Sequence, residues 1–135
     1  MLSIWGYTFH AWELLGLWAW LPAFLTAASI ASGNSAQQAA SVGATLTAIT
    51  YLVAAGGNAL GGALSDRHGR TLVALFMGIS SLVFSFSFGW MLGLPMWLLL
   101  LIATLYNATS VADSSILSTT LTELVDPASL GAAYS

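Results

Sequence analysis

Residues 57–70, GNALGGALSDRHGR, contain the only lysine or arginine residues of the chain, Arg67 and Arg70. An uncharged apolar run lies on each side of this stretch, at residues 41–65 and 71–92. Each run is longer than the roughly 20 helical residues that cross a hydrocarbon core about 30 Å thick. The pattern predicts a tight charged turn between two membrane helices. Because positive charge is retained on the cytoplasmic side, we expect this turn to be cytoplasmic.

The composition of the 135-residue chain is typical of a membrane protein whose first partner is the lipid bilayer. Hydrophobic residues make up 58% and charged residues 5%, whereas charged residues are about a quarter of an ordinary soluble domain. With two basic side chains we expect no nucleic-acid partner. The absence of cysteine excludes disulfides, and the absence of lysine excludes a phosphate-binding loop for ATP. No nucleophile–base pair or set of three metal ligands stands out, so we expect no enzyme, metal or cofactor.

The hydropathy of the chain predicts an all-α membrane fold with four helices and the start of a fifth. The predicted spans cover residues 5–31, 41–65, 71–92 and 96–117, with a fifth helix starting near residue 127. Residues 83–88 alternate in hydropathy like a strand, but the length of the uncharged run around them favours a helix. The polar residues 32–38 predict an external loop, and counting back from the charged turn puts the N-terminus in the cytoplasm.

Residues 62–70, GALSDRHGR, resemble the G-x-L-[AS]-D-R-x-G-R signature of the major facilitator superfamily of secondary transporters. In that superfamily the signature follows the second helix of each six-helix half, and here it follows the second predicted span. Residues 7–14 are similar to the start of the seventh helix in a bacterial permease group of the superfamily. Residues 112–115 and 122–125 are similar to the tenth helix of that group and the turn after it. The resemblance implies that residues 1–135 are a partial transporter domain, most of a C-terminal half.

The resemblance also implies that the charged turn is a gate. In the superfamily this turn contacts the other half in the outward-open state and releases it when the two halves rock. The chain departs from the family pattern at Thr71 and Leu130, where basic residues are common. The simpler alternative is structural: the arginines anchor the inner interface and Asp66 pairs with one of them. The residues assigned to the gating turn are Gly62, Asp66, Arg67, Gly69 and Arg70.

Ionisable and amide side chains inside the predicted spans are candidates for a transport pathway. Glu13 is the sharpest candidate, because a charge near the middle of a membrane helix costs about 2.5–3.5 kcal/mol and by default faces a cavity or a partner. Its carboxyl group is a candidate proton acceptor; alternatively it is a structural group paired with His10 one turn away. His10 and Glu13 are metal-ligand types, but two ligands without a third predict no metal site. The pathway candidates are His10, Glu13, Asn58, Asn107 and Asp113.

The sequence leaves two functions open. The first is secondary transport of a small solute by alternating access in the cell membrane, driven by the gradient of the solute, of protons or of another ion. A transport site of this kind lies between two six-helix halves, so we expect the chain to act with a missing N-terminal half or with another chain. The second is a small structural or interaction protein that oligomerises through its Gly57/Gly61 helix face, because a G-x-x-x-G row lets a neighbouring helix approach closely.

Overall fold

The computed structural model describes residues 2–124, 126 and 131. Its helices are α1 (Leu2–Ala31), α2 (Ala36–His68), α3 (Arg70–Phe88) and α4 (Met96–Leu124), with a short 3₁₀ helix at Gly89–Met91. All four α-helices are long and apolar enough to cross a membrane, and the described residues form no strand. The predicted all-α, multi-pass membrane fold is therefore confirmed. The start of a fifth helix, predicted near residue 127, lies outside the described residues.

The connection between α1 and α2 is shorter than predicted. The predicted loop over residues 32–38 ends at Ser35, because a capping box starts α2 at Ala36. The Ser35 hydroxyl accepts the backbone N–H of Gln38 at 3.4 Å, and Oε1 of Gln38 accepts the backbone N–H of Ser35 at 3.2 Å. These two bonds occupy amide groups that have no partner in the first turn of a helix. The S-x-x-Q spacing is the sequence signal for this helix start.

A single residue, Gly69, separates α2 from α3. Its φ of 89° lies in a region that residues with a side chain rarely adopt, so glycine is required at this bend. The backbone N–H of Gly69 donates to the Ser65 carbonyl at 3.0 Å and closes the last turn of α2. The chain reverses at this point, which puts Arg67 and Arg70 at the same end of the bundle.

Helices α2 and α4 form the centre of the bundle, since each of them packs against the three other α-helices. Leucine side chains of α1 form the core together with Ala103 and Tyr106 of α4 and Phe88 of α3. Large apolar side chains on the outer faces of all four helices are exposed. In a bilayer these faces contact lipid rather than water.

The Gly57/Gly61 face of α2 lies against α4 of the same chain. A Cβ atom at Gly57 would lie 2.9 Å from the Ala108 carbonyl oxygen, and one at Gly61 would lie 2.8 Å from Ala112 Cβ. The two glycines thus let α2 and α4 approach at backbone distance. Oligomerisation through this face, the alternative function, requires a free face, and α4 covers it.

Candidate functional site

Glu13 on α1 is linked to the hydroxyl groups of two other helices. The Ser81 hydroxyl on α3 donates to Oε1 of Glu13, and Ser81 Oγ lies 2.8 Å from Ser110 Oγ on α4. Because a serine hydroxyl has one proton, Ser110 donates to Ser81 while Ser81 donates to the carboxyl group. Ser81 and Ser110 are 2% and 1% exposed. Three helices thus meet at one carboxyl group.

His10 joins α1 to α4 one turn before Glu13. Its Nε2 atom lies 2.6 Å from Ser114 Oγ, and its Nδ1 atom lies 3.7 Å from Oδ2 of Asp113. With a proton on Nδ1, the ring faces the Asp113 carboxyl group with a donor, and Nε2 accepts the Ser114 hydroxyl. Oδ1 of Asp113 is buried and has no hydrogen-bond partner within the described ranges. The term polar cluster below denotes His10, Glu13, Ser81, Ser110, Asp113 and Ser114.

The polar cluster lies near the middle of the membrane-spanning segments. At a rise of about 1.5 Å per residue, the part of α3 from Arg70 to Ser81 extends about 16 Å. The part of α4 from Ser110 to Glu123 extends about 20 Å by the same rule. Both distances are about half to two thirds of a hydrocarbon core roughly 30 Å thick. The serine hydroxyl groups of the cluster therefore lie well inside the hydrocarbon core, measured from the Arg70 end of the bundle.

Two clefts lie on either side of the polar cluster along the helix axes. One has a volume of ≈ 370 Å³ and is lined by Glu13 and by α3 residues between 85 and 89. The other has a volume of ≈ 790 Å³ and is lined by Asp113 and by α3 residues between 70 and 82. We name them the Glu13 cleft and the Arg70 cleft. Each cleft has one carboxyl group of the cluster at its inner end.

The two predicted asparagines do not join the polar cluster. Asn107 is fully buried, accepts the indole N–H of Trp18 at 3.3 Å, and leaves its Nδ2 atom without a partner in the described part of the chain. Asn58 is exposed, and its backbone carbonyl accepts the Ser115 hydroxyl at 3.3 Å. Both line a separate cleft of ≈ 520 Å³ with Trp18 and Tyr51. The structure therefore divides the five predicted pathway residues into two groups.

The charged turn is held to α4 by one of its arginines. Arg70 forms an ion pair of 2.8 Å with Glu123, which sequence reasoning did not identify as a partner. Asp66 and Arg67 are exposed, and neither side chain forms a hydrogen bond or ion pair with another described residue. The structural alternative in which Asp66 pairs with an arginine is thus wrong, because α4 supplies the carboxylate. Gly62 is half-buried on the last turns of α2.

Sequence reasoning found the acids of the cluster but not the serines that bond them. It offered His10 as a structural partner of Glu13, but the direct contacts of the two residues differ: Ser81 bonds Glu13, whereas His10 faces Ser114 and Asp113. Serines are common in membrane helices, and a lone serine carries no sequence signal of its partner.

In the described ranges, no three potential ligands converge on a metal-sized site. No family model, curated protein or solved structure matches the chain.

Proposed function

We propose that the chain is part of a secondary transporter that moves a small solute by alternating access. The observation that carries this proposal is the polar cluster at mid-membrane depth, with a cleft on each side of it. Such an arrangement suits a site that is reached from one side of the membrane at a time. The resemblance of residues 62–70 to the major facilitator superfamily signature supports the same function.

The chemistry of the cluster supports a role in moving protons or solute rather than in holding helices together. A structural contact between membrane helices needs only neutral hydroxyl or amide groups. Carboxyl groups at this depth are costly and are retained mainly on ion and substrate pathways. The serines around Glu13 stabilise a carboxylate by donating to it and accommodate a carboxylic acid by accepting from it. Glu13 and Asp113 are therefore assigned as the proton-exchanging groups of the pathway.

The charged turn is assigned as the gate of this transporter. Arg70 contacts α4 through its ion pair with Glu123. Asp66 and Arg67 are exposed beside it and have opposite charges. These two side chains are free to contact the N-terminal half or another chain in one state and to leave it in the other. We propose a second transporter half or another chain as the partner of this surface.

Cysteine labelling tests the orientation that places the turn and the N-terminus in the cytoplasm of a cell-membrane protein. The chain has no cysteine, so His68→Cys and Gln37→Cys each introduce a unique thiol at an exposed position. A membrane-impermeant thiol reagent added to intact cells should label Gln37→Cys and leave His68→Cys unlabelled. Permeabilised cells are the control, in which both variants should react. Labelling of His68→Cys from outside would contradict the orientation.

Solute-driven currents test the transport function itself. The intact gene product that carries this sequence is reconstituted into liposomes on a solid-supported membrane, and solutes are added by rapid exchange. Organic acids, sugars and organic cations form the screen, with a proton gradient of either direction imposed in parallel. We expect at least one class to give a saturable current above that of protein-free liposomes. Uptake of radiolabelled solute is measured in parallel, because an electroneutral cycle moves solute without a current. If every class gives only the protein-free signal in both measurements and in both gradient directions, the transport proposal is wrong.

A further inference from the structure

The Glu13 cleft has one charged side chain and an otherwise apolar, aromatic lining. Among the described residues that line it, Glu13 alone carries a formal charge. The aromatic rings of the lining come from all three helices that meet at the cluster. They are Trp20 and Phe24 on α1, Phe88 on α3 and Tyr106 on α4.

The rings form a continuous wall beyond the carboxyl group. The ring centroids of Phe24 and Phe88 are 4.4 Å apart, and those of Phe88 and Tyr106 are 6.0 Å apart. Trp20 is 74% exposed, so its ring is free to cover a molecule in the cleft. The faces of such rings attract a positive charge that lies within about 6 Å of the ring centre.

No arginine or lysine side chain lies near Glu13. Arg67 and Arg70, the only such residues of the sequence, lie at the end of the bundle, about 16 Å from the level of Ser81. His10 faces Asp113 and Ser114 instead. The Ser81 group that donates to the Glu13 carboxyl group is a neutral hydroxyl. A carboxylate in this position is complemented by a proton or by a cationic ligand.

We propose that the Glu13 cleft binds an organic cation, with its positive charge against the Glu13 carboxylate and its apolar body against the aromatic wall. This inference rests on the proposed transport function and names its substrate class. The cleft volume of ≈ 370 Å³ falls in the range of about 300–1,000 Å³ typical of small-molecule sites. An anion would be repelled by Glu13, and a sugar would find few polar partners along this wall.

Two ions of nearly the same shape and opposite charge test this inference. The protein in lipid nanodiscs is dialysed to equilibrium against radiolabelled tetraphenylphosphonium, a cation, or against tetraphenylborate, an anion. Empty nanodiscs of the same lipid measure partitioning into the bilayer and are subtracted. We expect saturable binding of tetraphenylphosphonium and no saturable binding of tetraphenylborate.

Two variants act on the charge and on the space of the cleft separately. Glu13→Gln should weaken tetraphenylphosphonium binding about tenfold or more, the loss expected for a charge pair shielded from water. Gly16→Leu should weaken it as strongly, since Gly16 lines the cleft and a Cβ there meets nothing within 4 Å. The controls are Asp126→Asn, which removes a carboxyl group elsewhere, and Gly56→Leu, a helical glycine in equally open space outside the cleft. Both should bind as the wild type does.

The outcomes separate this inference from the transport proposal. Equal saturable binding of both ions, or wild-type binding by both Glu13→Gln and Gly16→Leu, would overturn the inference. If Glu13→Gln does not fold by circular dichroism, Gly16→Leu with its Gly56→Leu control decides alone. Solute-driven currents with sugars or organic acids, together with no tetraphenylphosphonium binding, would reject the substrate class and keep the transporter. Saturable tetraphenylphosphonium binding without current or uptake of any solute would keep the cation site in the Glu13 cleft and reject the transport proposal.

Discussion

Glutamine in place of Glu13 is expected to lower the solute-driven current by at least about 10²-fold, the scale of a lost proton-transfer group. The amide oxygen of glutamine still accepts the Ser81 hydroxyl, so the link between α1 and α3 is retained. What the side chain loses is the ability to carry a charge and to exchange a proton. The current from the reconstituted protein, with equal amounts of variant and wild type in the liposomes, measures the effect.

Asp126→Asn is the matched control for this experiment. Asp126 is exposed and lies after α4, so its amide variant removes one carboxyl group that lies outside the membrane-spanning segments. Its current should equal that of the wild type. If Glu13→Gln also transports at the wild-type rate while its unfolding by denaturant is altered, Glu13 is a structural group. The pathway assignment would then be wrong.

The helices could be predicted because the hydrocarbon core of a bilayer offers no hydrogen-bond partner to backbone groups. Every backbone polar group in the membrane must be bonded within its own helix, so long uncharged runs such as residues 71–92 become helices whatever their local pattern. The strand-like alternation of residues 83–88 therefore did not matter, and α3 covers it. The local ends of the helices depend on weaker signals. The start of α2 at Ala36 was missed because its capping box was read as loop.

The ionisable residues of the candidate site could be predicted from the sequence, but their serine partners could not. Glu13, His10 and Asp113 stand out because a charge in a membrane helix is rare and costly. Their partners do not stand out, because which serine faces a carboxyl group depends on how the helices rotate against one another. Asn58 shows the same limit: it lies inside a predicted span, but the rotation of α2 places it in a separate cleft with Trp18 and Tyr51. Helix rotation is set by packing, and the glycines of α2 control that packing.

Gly61→Ala is expected to destabilise the bundle by about 1–3 kcal/mol, the usual cost of forcing an extra methyl group into a packed interface. The new Cβ atom would lie 2.8 Å from Ala112 Cβ and 2.9 Å from the Ala112 carbonyl oxygen. A carbonyl oxygen is backbone and has no rotamer to adopt, so α2 and α4 must move apart. Unfolding in increasing SDS, followed by circular dichroism, measures the change in the free energy of unfolding.

The neighbouring Gly62→Ala is the control, because a Cβ atom at Gly62 meets nothing within 4 Å. It should leave the free energy of unfolding unchanged or raise it by up to about 1 kcal/mol, because alanine favours a helix more than glycine does. Adding Ala112→Gly to Gly61→Ala should recover only part of the loss, since the carbonyl oxygen of residue 112 stays in place.

A bundle that tolerates Gly61→Ala as well as Gly62→Ala would contradict close packing of α2 on α4. If the variant instead keeps its stability and loses a dimer in size-exclusion chromatography, the Gly57/Gly61 face joins two chains. The interaction protein, not the transporter, would then be the better description.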